Sequence, residues 1–88
     1  MALLGVPLMA TPTDRENGIH ILEAFRHYSL IPGQPMTVDM LTAYFEQNGL
    51  KLDYMESGLS YTRLQGWTED GTNQSALLTE AGHAYLLD

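Results

Sequence analysis

Apolar positions repeat at helical spacing in three stretches of the chain, and each stretch carries its own start and stop signals. In the first, Ile21, Leu22, Phe25, Tyr28 and Ser29 share one face, with His20, Glu23 and His27 opposite. Thr13 and Glu16 have capping-box spacing: the hydroxyl accepts from a first-turn amide while the carboxylate reaches back to the cap. Pro12 keeps Thr11 out of helical geometry, Gly18 weakens the middle of the run, and Pro32-Gly33 is a turn signal beyond its end. In the second stretch Thr37 is the N-cap and Asp39 complements the positive helix terminus. Val38, Leu41, Tyr44 and Phe45 form its buried stripe; Asp39, Ala43, Glu46 and Gln47 face out. Asn48-Gly49 stops it, with glycine in the left-handed position. Gln34-Pro35-Met36, just ahead, reads as a brief edge strand.

The third stretch is expected to be capped by Asp53, with Glu56 three residues on. Leu52, Met55, Leu59 and Thr62 point inward, and Tyr54, Ser57, Tyr61, Leu64 and Gln65 form the outer face. A phase shifted by one position would turn part of that outer set into core. Gly66 ends the helix. Gly58, inside it, costs ~1 kcal/mol relative to alanine and so marks a close approach of backbone to a neighbouring helix. The period then changes. Trp67 to Asp70 reads as a strand, Asp70-Gly71 as a hairpin signal with a polar loop that can extend to Gln74, and Ser75 to Leu78 as the returning strand. Thr79 caps a last helix, Glu80 to Leu87, with Ala84 and either Leu87 or Tyr85 inward.

At 88 residues the chain makes one domain with a small core, burying ~60–65% of the surface its unfolded form exposes. Its stability margin is thin, and a homodimer would widen it. The formal net charge of −7, from eleven acids against Arg15, Arg26, Lys51 and Arg63, constrains partners more than any other bulk property. Nucleic-acid affinity comes largely from lysine and arginine contacts to phosphates, and ~6–10 such contacts need a concentrated basic face. Four scattered cations do not make one, and the same acidity disfavours anionic membranes.

With no cysteine there is no disulfide, thiolate zinc site or cysteine nucleophile. His20, His27 and His83 are too few and too spread for a metal site. No Ser-His-Asp order or glycine-rich phosphate loop is visible, and a domain this small has little room for a substrate pocket of ~300 Å³ or more. The expectation is therefore no enzyme, no catalytic residue, no metal and no cofactor. Residues 1–12, with Leu3, Leu4, Val6, Leu8 and Met9, form an apolar arm. It lacks a basic leader region, is interrupted by Pro7, and is far below the ~20 residues of a membrane span. It reads as an arm that contacts a second copy, adds to a partner's sheet or folds back on its own domain. A cytoplasmic location is expected.

The order helix, brief strand, helix, helix, hairpin, helix over residues 13–88 resembles that of the winged helix-turn-helix superfamily, an α+β, mainly α architecture. "GLSYTRLQGW" resembles a recognition helix running into its first wing strand. "ALLTEAGHAYL" is similar to the ending of MarR-like and PadR-like regulators. The resemblance implies that Leu78 closes the core, Thr79 caps the last helix and Gly82 packs tightly. It also implies a DNA-reading set of Ser57, Ser60, Tyr61, Arg63 and Gln65, with a wing tip at Gly71, Thr72, Asn73 and Gln74. The sequence departs from that pattern in charge: Asp53, Glu56, Glu69 and Asp70 would sit beside phosphates. Two functions are thus expected. One is a protein-binding adaptor or inhibitor of a nucleic-acid machine, resembling the small acidic anti-CRISPR-like proteins of phages and mobile elements. It would present Tyr54, Glu56, Tyr61, Leu64, Glu69 and Asp70 to a basic protein. The alternative is a dimeric DNA-binding transcriptional regulator using the third helix and wing.

Overall fold

A computed structural model describes residues 12–87. The apolar arm, apart from Pro12, lies outside the described residues, as does Asp88. Helix α1 spans Asp14–His27 and begins with the expected capping box. The Glu16 amide donates to Thr13 Oγ1 at 3.1 Å, and the Thr13 amide donates to Glu16 Oε1 at 2.8 Å. Strand β1 (Pro35–Met36) leads to Thr37, whose hydroxyl accepts from the Met40 amide at 3.2 Å and starts α2 (Val38–Gln47). Gly49 then takes φ +68°, as the Asn-Gly stop requires. A 3₁₀ turn at Leu52–Tyr54 precedes α3 (Met55–Leu64). Strands β2 (Thr68–Asp70) and β3 (Ala76–Leu78) form the hairpin, and α4 (Glu80–Leu87) follows.

The fold is thus α+β, mainly helical, with one small antiparallel sheet in the order β1-β3-β2. Register pairs Met36 with Ala76, Thr68 with Leu78 and Asp70 with Ala76. Ile21, Leu22, Ala24 and Phe25 of α1, Leu41, Tyr44 and Phe45 of α2, and Met36 and Leu78 of the sheet make the core. The densest packing is between α1 and α3. It depends on Gly58: a Cβ there would stand 2.6 Å from the Asn17 carbonyl oxygen. Buried Asn17 is satisfied at the same crossing, donating through Nδ2 to Ser57 Oγ at 2.9 Å. Thr79 Oγ1 accepts from the Gly82 amide at 3.1 Å and donates to the Gly66 carbonyl at 2.6 Å. Gly82 lies against the Trp67 carbonyl and Leu78, leaving no space for a side chain.

Several sequence expectations are corrected. Asp53 does not cap α3. The chain enters through the 3₁₀ turn, which places Asp53 inside that turn, and Tyr54 occupies the cap position with no side-chain bond. Leu52, expected inside, is 43% exposed for the same reason. Val38, expected in the buried stripe, is 45% exposed in the first turn of α2. Ser29 is exposed at φ +56°, since α1 has already ended at His27. In α4 Tyr85, one of the two expected alternatives, packs against the core, but its companion there is Leu86, and Ala84 and Leu87 are exposed. The polar loop of the hairpin does extend to Gln74, with Asn73 and Gln74 in the left-handed region at φ +54° and +59°. Gly71 is needed for room, because a side chain there would meet Ser75 Oγ and Leu77.

Candidate functional site

Helix α3 has three differently occupied sides. Gly58 and Thr62 are buried, and half-buried Met55 and Leu59 pack on the core beside them. Ser57 and Tyr61 turn toward α1: Ser57 Oγ bonds Asn17 and donates to the Tyr54 carbonyl at 3.2 Å, and the Tyr61 ring lies over Gly18. Glu56, Ser60, Arg63 and Leu64 face solvent, Leu64 being 84% exposed. Of the residues expected on the outer face, Tyr54, Ser57 and Tyr61 are therefore half-buried, whereas Leu64 and Gln65 are open. Met55, Leu59 and Thr62 keep the expected inward phase, while the small Gly58 side takes the closest helix contact and draws Ser57 and Tyr61 against α1.

Tyr61 belongs to an aromatic group. Its ring is 5.8 Å from that of Trp67, edge to face, and Trp67 lies 4.5 Å from Tyr85. Arg15 Nη2 donates to the Tyr85 hydroxyl at 3.3 Å. Tyr61 first, and Tyr85 after it, hold the Arg15 guanidinium above its ordinary pKa. The group joins α1, α3, the base of the hairpin and α4, on the far side of α3 from Arg63.

On the other side, α3 faces the hairpin. Arg63 Nη1 lies 3.0 and 3.3 Å from the two carboxylate oxygens of Asp70, clasping helix to strand. Beneath this clasp the sheet and α3 diverge, leaving an open groove of about 340 Å³, which exceeds the space expected of a domain this small. Met36, Leu41, Met55, Leu59 and Ala76 supply apolar lining, and Glu56, Glu69 and Asp70 stand among its polar residues. The Thr68 hydroxyl at its inner end is 2.8 Å from that of Thr62, a buried pair, and Thr62 also donates to the Leu59 carbonyl at 3.0 Å. Among the described residues this groove offers shape, apolar surface and negative charge.

Three of the expected protein-binding residues, Glu56, Glu69 and Asp70, thus come together at the groove, while Tyr54, Tyr61 and Leu64 do not line it. Of the expected DNA-reading residues, Ser60, Arg63, Gln65, Asn73 and Gln74 are exposed, but Ser57 and Tyr61 are engaged with α1. The cations are dispersed: Arg15 and Arg26 lie on α1, Lys51 precedes the 3₁₀ turn, and Arg63 is paired with Asp70. Met36, Val38 and Ala76, which the sequence reading did not assign to a site, line the groove. Met36 and Val38 flank the Thr37 cap, and only folding brings Ala76 to them. Among the described residues no helix is long and apolar enough to cross a membrane. No protein-family model, curated protein or solved structure matches the chain.

Proposed function

We propose that the chain is a winged-helix-type domain that acts as an acidic protein-binding adaptor or inhibitor, docking a basic protein on α3 and the hairpin in the cytoplasm. The scaffold part of this reading is supported by the element order and by the roles of Leu78, Thr79 and Gly82, which lie where the resemblance implies. One observation carries the functional part. The only cation on α3 is tied to the hairpin's Asp70, while Glu56 and Glu69 stand in the open beside it. A phosphate backbone brought to this face would meet carboxylates, with Arg63 already neutralised, and the counterion-release term that drives DNA binding would be lost. A basic protein surface meets the same face with favourable charge, which speeds encounter and selects against acidic competitors.

The test pairs two assays. A labelled DNA duplex titrated at low salt should not bind the wild type, and affinity that is tight and falls steeply with salt would return the domain to the regulator class. In a pulldown from the host, a defined partner retained by the wild type should be lost with Glu69→Lys and Leu64→Ser. These positions are exposed and leave the fold intact, unlike Tyr61.

A further inference from the structure

We infer that the groove between α3 and the sheet is a socket for a partner segment carrying one apolar side chain flanked by lysine or arginine. This rests on the protein-binding reading above and specifies its ligand. The lining joins a buried floor to a more open rim. Met36 and Leu41 are themselves buried, Met55 and Leu59 are half-buried, and Val38 stands exposed beside them. Two of these are methionines, whose unbranched, polarisable thioethers reshape around an incoming side chain at little cost. The space, about 340 Å³, is at the small end of the ~300–1,000 Å³ range of ligand clefts and is partly open to solvent. That suits a side chain delivered on a chain better than an enclosed small molecule.

The groove's charge selects the flanking residues. Among the described residues Glu56 and Glu69 make no ion pair, and the third carboxylate, Asp70, is shared with Arg63 through one guanidinium nitrogen. An arriving lysine or arginine finds two free carboxylates and can compete for the third, which would release Arg63 and loosen the clasp over the groove. A second copy of this chain is a poor occupant, because each copy carries a net charge of −7. Duplex DNA and acidic peptides are repelled for the same reason.

The full-length protein, labelled with ¹³C at its methionine methyls, provides the test. The probe is a blocked pentapeptide with one leucine between lysines. Its controls replace leucine with serine, or lysines with glutamates, and a DNA duplex is titrated in parallel. The leucine–lysine peptide should shift the Met36 and Met55 methyls saturably and leave Met40, which does not line the groove, in place. Glu69→Lys should weaken that binding about five- to tenfold. Unmoved Met36 and Met55 signals overturn the socket, as does equal binding of the serine peptide, or self-association that produces the same shifts without peptide. An inert groove with no duplex binding removes the socket alone, whereas salt-sensitive duplex binding removes the protein-binding reading with it.

Discussion

Replacing Gly58 with alanine separates two opposed effects at the α1–α3 crossing. In an exposed helix interior the change would stabilise by ~1 kcal/mol through helix propensity. Here the added Cβ would stand 2.6 Å from the Asn17 oxygen, 2.8 Å from the Asn17 carbonyl carbon and 2.9 Å from Ile21 Cγ1. The first two are backbone atoms inside α1 and cannot rotate away. Relief requires the two helices to part, which strains the Asn17–Ser57 bond and the contacts of Ile21. Overpacking of this kind costs ~1–3 kcal/mol, and unyielding backbone puts this site in the upper half of that range. After the propensity gain we expect a net loss of about 1–2 kcal/mol. A chain of this length has a total stability of roughly 4–13 kcal/mol, so the loss is a substantial fraction and should lower the Tm by about 4–16 °C. Urea unfolding followed by far-UV circular dichroism and by fluorescence of Trp67, the single tryptophan, gives the number. Gly18→Ala is the control: its Cβ would meet Tyr61 Cδ2 at 2.7 Å, but that ring edge is half-buried and can swing. If Gly58→Ala raises the urea midpoint, or costs no more than Gly18→Ala, the backbone-contact argument is wrong.

Thr62→Val leaves the buried Thr68 hydroxyl without its 2.8 Å partner and should cost ~1–3 kcal/mol, while Thr62→Val with Thr68→Val should recover part of it; a double-mutant cycle with no coupling would refute the pair. Glu16 is held below the ordinary carboxyl pKa by the Thr13 amide and, after it, by the Thr13 hydroxyl. A depressed folded-state pKa means that its contribution is complete above the unfolded value near 4.5 and is lost as pH falls through the folded value. The stability gap between wild type and Glu16→Gln should therefore shrink below that pH, and a gap constant from neutral to acid would contradict the capping role. Tyr61→Ala should destabilise by about 2 kcal/mol and shift Trp67 emission to the red, because it strips one wall from the aromatic group. Leu64→Ser should change stability by no more than about 0.5 kcal/mol, and a larger loss would mean that Leu64 is not the open side chain described.

Features whose causes are local were legible in the sequence. The Thr13/Glu16 box, the Thr37 cap, the Asn48-Gly49 stop and the Thr79 cap each depend on residues within one turn of one another, and each lies where expected. Gly58 announced a close helix contact because nothing local rewards glycine in a helix. The start of α3 was misread because Asp53 and Glu56 satisfy a capping pattern that a preceding 3₁₀ turn pre-empts. The outer face of α3 was misread in part because Ser57 and Tyr61 are polar or amphipathic, and side chains of that kind serve equally in water or against another helix.

By itself the sequence determined the element order, the caps and the negative sign of the surface, since propensity, capping and charge travel with the residues that carry them. Only the tertiary structure decided that Arg63 is spent on Asp70, that Tyr61 belongs to the Trp67 group, and that Met36, Val38, Met55 and Ala76 share one groove. Those are meetings of side chains from separate segments, and their geometry is set by how closely α1 and α3 approach and by where the sheet diverges from α3.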